Sequence, residues 1–188
     1  EGSQLPADLP PCRKVVRGSS FNVALTGNGR VFVWRRPGLS LSGATNGFTE
    51  EPKSMLPETE VAVDIAVGEA HAAILTERGR VWTFGWRPFS ALGRGSWQSG
   101  TEWIGVAAPI PTLERVVQIN AGATFTLCVD VMGFLWLFGE GPCIIGCFGD
   151  PHAVYEPRQV PPAAFGGRRV LAAACGEGHV LVLTAWDP

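Results

Sequence analysis

Residues 67–84 read VGEAHAAILTERGRVWTF, and the same framework recurs at 17–34 (RGSSFNVALTGNGRVFVW), at 121–138 (AGATFTLCVDVMGFLWLF) and, for its first half, at 175–188 (CGEGHVLVLTAWDP). The leading glycines Gly18, Gly68, Gly122 and Gly176 are separated by 50, 54 and 54 residues. Three residues after each comes Phe21, His71, Phe125 or His179. Seven after comes Leu25, Leu75, Val129 or Leu183, and eight after comes Thr26, Thr76, Asp130 or Thr184. A second glycine stands at plus eleven in three copies (Gly29, Gly79, Gly133), and Phe32, Trp82 or Trp136 at plus fourteen. A repeat of this period marks a stacked architecture, in which one unit buries its apolar face only against its neighbours.

Each unit reads as short strands. An apolar run precedes the leading glycine (Val63–Val67, Val116–Ala121, Val170–Ala174), and the glycine permits a tight turn or close backbone approach. A second strand follows (Phe21–Thr26, His71–Thr76, Phe125–Asp130, His179–Thr184). Asn28-Gly29, Arg78-Gly79 and Met132-Gly133 then reverse the chain into a third strand of branched and aromatic residues (Val31–Trp34, Val81–Phe84, Phe134–Phe138). A proline-led stretch before the next unit (Pro52–Leu56, Pro109–Leu113, Pro157–Val160) suits an outer strand, because proline is tolerated on a sheet edge. Four strands per unit of about 50 residues predict a propeller blade. The fold class is all-β: four-stranded antiparallel blades, about three and a half of them, as a partial propeller or half of a seven-bladed ring. The units run at approximately 12–51, 52–108, 109–156 and 157–188, the last incomplete.

Composition agrees with this. Hydrophobic residues are 46% and charged residues 17% of the 188, which excludes a disordered chain. Gly 24 and Pro 15 disfavour long helices. A net charge of −2 supplies no basic field for nucleic acid or acidic membrane, so direct binding to either is not expected. Cys12, Cys128, Cys143, Cys147 and Cys175 are odd in number and irregularly spaced, which fits a reducing, intracellular compartment, cytoplasm or nucleus, rather than a disulfide framework. No signal peptide or membrane-length apolar run is visible. The chain opens on Glu1 and stops within a repeat at Pro188, so further blades are expected from the same parent chain, a second copy or another subunit, since bare blade edges invite pairing.

The pattern Gly-x-x-His-x-x-x-Leu-Thr-x-x-Gly-x-Val-aromatic-x-aromatic-Gly resembles the regulator-of-chromosome-condensation repeat. Its fullest copy is Gly68, His71, Leu75, Thr76, Gly79, Val81, Trp82, Phe84 and Gly85, continuing to Leu92-Gly93-Arg94-Gly95. The first copy departs from it, with Trp34-Arg35 where Trp-Gly is expected. The kelch Gly-Gly signature is absent, and Trp186-Asp187 is a single dipeptide rather than a recurring WD signature. The resemblance implies a protein-interaction module of a larger regulatory protein, not a conventional enzyme. It also leaves two alternatives: guanine-nucleotide exchange on a small GTPase as partner, and an inhibitor-like recognition propeller.

The residue types offer little catalytic chemistry. His71 and His179 share a repeat position with Phe21 and Phe125, which points to a structural role. Cys143, Cys147 and His152 have acceptable zinc spacing but lack an evident fourth ligand, so neither metal nor cofactor is expected. Gly93-Arg94-Gly95 and Gly139-Glu140-Gly141 read as blade turns that open no helix, unlike phosphate loops. The candidate partner-binding residues are instead Arg35, Arg36, Trp86, Arg87, Phe89, Arg94, Trp97 and Trp103, because Trp and Arg on scaffolded loops are favoured interface anchors. The competing reading packs those tryptophans between blades. Arg168-Arg169 forms a second arginine pair beside Arg35-Arg36, for which a solvated surface is the plainer account.

Overall fold

The leading glycine and the residue three places later close the same hairpin in every unit: the glycine N–H donates to the carbonyl of Phe21, His71, Phe125 or His179 at 2.9–3.0 Å. The computed structural model describes residues 6, 9–19, 21–35, 53–86, 91–95, 103–149 and 153–186, with only the backbone of Trp86, Trp103 and Ile104. Its first sheet holds β1 (Cys12–Arg17), β2 (Phe21–Thr26), β3 (Val31–Arg35) and β4 (Lys53–Ser54). The second holds β5 (Ala62–Val67), β6 (His71–Thr76), β7 (Val81–Trp86) and β8 (Trp103–Pro109). The third holds β9 (Val116–Ala121), β10 (Phe125–Asp130), β11 (Leu135–Gly139) and β12 (Val154–Gln159); the fourth holds β13 (Val170–Cys175) and β14 (Val180–Thr184). All pairings are antiparallel between neighbours in sequence, which is the blade architecture that the repeat predicts.

The core lies between blades. β2 packs against β5, β6 against β9, and β10 against β13. β2, β6 and β10 are therefore covered on both faces, and FNVALT and HAAILT are buried at every position. This explains why these strands lack a clear in–out alternation. At one repeat position polar side chains reinforce the first and third junctions. Lys14 Nζ donates to Asp64 Oδ1 (2.7 Å) and the Ile65 carbonyl (2.8 Å). At the same repeat position, the Gln118 amide donates to the Ala173 carbonyl (2.7 Å) and accepts from its N–H (3.0 Å).

The second glycine of each unit ends the turn between second and third strands with φ 76°, 70° or 82° at Gly29, Gly79 and Gly133, a region that costs other residues strain. Its carbonyl accepts the N–H of Ala62, Val116 or Val170 in the following blade, at 2.9–3.0 Å. At plus eight, Thr26 and Asp130 hold this turn through their side chains, whereas the Thr76 hydroxyl has no hydrogen-bond partner. Arg30 N–H donates to Thr26 Oγ1 (2.9 Å), and Met132 and Phe134 N–H donate to Asp130 Oδ1 (2.9 and 3.0 Å). Asp130 Oδ2 also accepts from Trp136 Nε1 at 3.0 Å. Asp130→Ala is expected to lose about 1–2 kcal/mol in equilibrium denaturation, as three donors lose their acceptor. An unchanged denaturation midpoint would remove Asp130 from the account of this turn.

Three local expectations are corrected. The outer strand of the second blade is Trp103–Pro109, not the stretch beginning at Pro109. Ile110 and Leu113, buried, instead form a turn closed by Leu113 N–H to Ile110 O at 3.3 Å. The outer strand of the third blade is Val154–Gln159, so it starts before Pro157 rather than at it. Gly139-Glu140-Gly141 does open a helix, α1 (Pro142–Phe148). Pro142 supplies a preset first-turn φ, Gly149 closes the helix in the left-handed region (φ 67°), and buried Ile144 anchors it to the junction of the third and fourth sheets.

Candidate functional site

The hairpins of the leading glycines share one rim of the stack. The residue after each leading glycine is linked to its counterpart in the next blade: Ser19 N–H to Glu69 O (3.2 Å), Glu69 N–H to Ala123 O (3.0 Å), Ala123 N–H to Glu177 O (2.9 Å). This backbone series fixes the spacing of neighbouring blades, so whatever the rim presents is held rigidly.

The sequence candidates that are described fall on or beside this rim. Arg35 ends β3 directly opposite Phe21. Trp86 and Trp103, distant in sequence, are cross-strand partners at the ends of β7 and β8, one step beyond Gly85 and His71. Arg94 lies in the turn 91–95. Arg36, Arg87, Phe89 and Trp97 lie outside the described residues. The other arginine pair is elsewhere: Arg169 donates to the carbonyls of Met132 (3.0 Å) and Val131 (3.3 Å) at the opposite rim, and Arg168 stacks 6.0 Å from the Trp186 ring. Arg35 is therefore not brought together with Arg168 and Arg169.

Sequence reasoning missed the mooring of the 91–95 turn. Thr126 Oγ1 donates to Ala91 O (2.9 Å), so His71 Nε2, 2.9 Å away across the blade junction, is the donor to that hydroxyl. Thr83 Oγ1 donates to Leu92 O at 2.7 Å, and Gly95 N–H donates to Tyr155 O at 3.1 Å. His71 is thus a positioning group. Burial pushes its pKa down to about 4, with a backbone hydrogen bond at Phe125 opposing the shift, so the ring is neutral near pH 7.

The rim also carries acidic groups. Exposed Glu69 and Glu177 flank a groove of about 320 Å³ floored by Gly68, Gly122 and Gly176. Glu140 joins the same rim through hydrogen bonds with Thr124, and burial raises its carboxyl above the usual range.

Cys143 and Cys147 on α1 and Cys175 on β13 pack against one apolar cluster. Burial pushes Cys143 up to about 12, with the neighbouring Cys147 adding to it, and Cys175 up to about 11; Cys147 is also raised. They are protonated, poorly nucleophilic thiols. Among the described residues no group of three or more His, Cys, Asp and Glu is arranged to hold a metal ion, and His152 lies outside them. No helix among them is long and apolar enough to cross a membrane. The arrangement holds hydrogen-bonding and charged groups on a rigid backbone frame along this rim.

Two family models, both described as the regulator of chromosome condensation (RCC1) repeat, match residues 62–86 and 78–129. The human E3 ubiquitin-protein ligase HERC2 is 30% identical over 179 residues, which cover 92% of this chain and 4% of HERC2. The mouse regulator of chromosome condensation is 29% identical over 194 residues, covering 94% of this chain and 45% of that protein. The crystal structure of yeast RCC1 (Prp20) bound to Kap60 superposes with a TM-score of 0.79 at 18% identity, over 97% of this chain and 44% of that one. A second structure, of Prp20p from Saccharomyces cerevisiae, described with its binding to Gsp1p and histones, gives 0.78 at 18% identity, over 97% of this chain and 46% of that one. The chain spans less than half the length of these relatives.

Proposed function

Because the chain is built of regulator of chromosome condensation repeats, we propose that it is a protein-interaction module of a larger regulatory protein or assembly, and that its partner binds on the rim of the leading glycines. The observation that carries this reading is the convergence on one rigid rim of Arg35, the facing pair Trp86–Trp103 and the moored Arg94 turn. Arg36, Arg87, Phe89 and Trp97 adjoin these positions in sequence and belong to the same proposed surface. Large planar side chains on a preorganised backbone lose little entropy on binding, so such positions become the energetic centre of an interface. The partners named for yeast Prp20, among them Kap60 and Gsp1p, are in keeping with a protein partner. No bound cofactor or nucleophile is needed for this role. The reading places the protein inside the cell, in cytoplasm or nucleus.

Affinity capture with the wild-type chain, repeated with Trp97→Ala and Trp103→Ala, tests it. Each substitution is expected to weaken capture of the same partner at least tenfold; undiminished capture by both variants overturns the chosen surface. A second reading, nucleotide exchange on a small GTPase, follows from the likeness to the regulator of chromosome condensation and from the named binding of Prp20p to Gsp1p. Exchange displaces nucleotide through a protein contact and would use the same rim. Accelerated nucleotide release from any member of a small-GTPase panel would favour it, and no acceleration across the panel counts against it.

A further inference from the structure

We propose that the cleft between the second and third blades, on the rim of the second glycines, binds a small organic carboxylate with an apolar body, and that Arg115 and Arg78 hold its carboxylate. The site lies on the rim opposite the proposed partner surface and is independent of what that surface binds.

The blades are built alike at this rim. The residue before each first strand, Val61, Arg115 or Arg169, gives its carbonyl to the N–H of Glu77, Val131 or Ala185 at 2.8–2.9 Å. What differs is how that residue meets the second glycine of the preceding blade. A Cβ built at Gly29 would lie 2.4 Å from Val61 Cγ1, and one built at Gly133 would lie 3.0 Å from Arg169 Cβ. Those two glycines are roofed by the side chain of the next blade. At Gly79 the three nearest atoms, at 2.9–3.2 Å, all belong to the backbone of Arg115 and Val116. Arg115 has φ 57°, and among the described residues it is the one non-glycine residue with positive φ. That conformation strains any residue with a Cβ, and such strain gathers at functional sites. Here it carries the Arg115 side chain off Gly79, and a cavity of about 480 Å³ opens beside the glycine.

The cavity joins apolar walls to free cations. Val63, Val117 and Val131 line it, the last two 58% and 40% exposed. Arg78 and Arg115 border it. The Arg115 guanidinium has no hydrogen bond or ion pair among the described residues, whereas Arg169, at the same repeat position, donates to the carbonyls of Met132 and Val131. The Arg78 side chain is 65% exposed and stands 3.9 Å from a Glu60 oxygen that Arg80 already holds. Glu77 is the acid among the described lining residues. Two guanidiniums and one carboxylate leave a single positive charge, which one carboxylate neutralises and a doubly charged phosphate oversteps. A guanidinium also presents paired N–H groups that match the two oxygens of a carboxylate. A hollow of this size, mostly apolar with a few convergent polar groups, suits a small ligand.

Amide NMR shifts of the isotopically labelled 188-residue chain, titrated with naphthalenecarboxylate, test the site. Saturable shifts are expected at 77–79, 115–117 and 131, with an affinity of about a millimolar or tighter. The neutral naphthalenecarboxamide should bind about tenfold more weakly or worse, because it brings no charge to the guanidiniums. Arg115→Gly suits the φ of 57°, and Arg78→Ala changes an exposed side chain, so both variants should keep the wild-type circular dichroism. Each should weaken binding about fivefold or more. Glu77→Gln should tighten it about twofold, as a repelling charge is removed. Equal binding of acid and amide, shifts centred elsewhere, full affinity in either arginine variant, or weaker binding by Glu77→Gln overturns the proposal. So does tighter binding of a leucine-ended tetrapeptide with a free C-terminus, which would assign the cleft to peptide termini.

Discussion

Gly122→Ala is expected to destabilise the protein by about 3 kcal/mol or more, although it adds a single methyl group. A Cβ built at Gly122 lies 2.0–2.6 Å from three atoms of the Phe125 ring. Phe125 is fully buried in the junction between the third and fourth sheets and has nowhere to withdraw. Here the glycine is required for space and not for an unusual φ, since the ring occupies the volume of the missing side chain. The same seat recurs at Gly68, where a Cβ would meet His71 Cε1 at 2.3 Å, and at Gly176, where it would meet His179 Cε1 at 2.3 Å. In these three units the ring three places after the leading glycine fills that space, whereas at Gly18 the Phe21 ring would be 3.4 Å away. Urea denaturation of Gly122→Ala, Phe125→Ala and the double variant checks the mechanism. Phe125→Ala alone should cost about 3–5 kcal/mol through its cavity. The double variant should cost clearly less than the two single losses together, because the added methyl enters the vacated space. Strict additivity would show that ring and glycine do not share that volume.

The second large effect is a loss of stability on mild acidification, traced to His71. Its pKa falls from 6.5 to about 4 on folding because the ring is buried against the next blade. Below pH 6.5 the unfolded chain takes up a proton that the folded chain refuses until about pH 4. Stability is therefore full above pH 6.5 and falls as pH drops toward 4, levelling off below. Across that window the loss from this group is about 3 kcal/mol. His71→Phe, which installs the ring found at Phe21 and Phe125, should flatten this dependence in chemical denaturation measured at pH 7 and pH 4.5. The variant should also lose about 1–2 kcal/mol at neutral pH, as the Thr126 hydroxyl loses its donor. A pH profile unaltered by His71→Phe would assign the acid sensitivity to other groups.

The blade hairpins were legible because their residue types recur: a ring three places after the leading glycine, Thr or Asp at plus eight, and a second glycine with positive φ. Elements outside the recurring frame were not. Among the described residues α1 is found in the third unit, and its short Cys-Ile-Ile-Gly-Cys run has no sequence counterpart by which to recognise it. The outer strand Trp103–Pro109 hides among glycine and tryptophan residues that read equally well as loop, while the prolines after it draw attention to the wrong stretch. At the rim, single residues were identifiable, but the facing of Trp86 and Trp103 depends on the register of β7 with β8, which spacing alone does not set. The His71–Thr126 bond had a readable trace. Phe21 shares an apolar cluster with Ala72 and Phe125 one with Val180, whereas polar His71 bonds polar Thr126. Comparing plus three of one unit with plus four of the next would have found it.

The claim that the leading-glycine rim is the binding surface is tested most directly by amide hydrogen exchange of the chain, free and with its captured partner. The account predicts slowed exchange at 17–21, 35–36, 84–95 and 103–105, with the opposite turns at 27–29, 77–79 and 131–133 unchanged. Slowing confined to those opposite turns, with the rim exchanging as in the free chain, would contradict it.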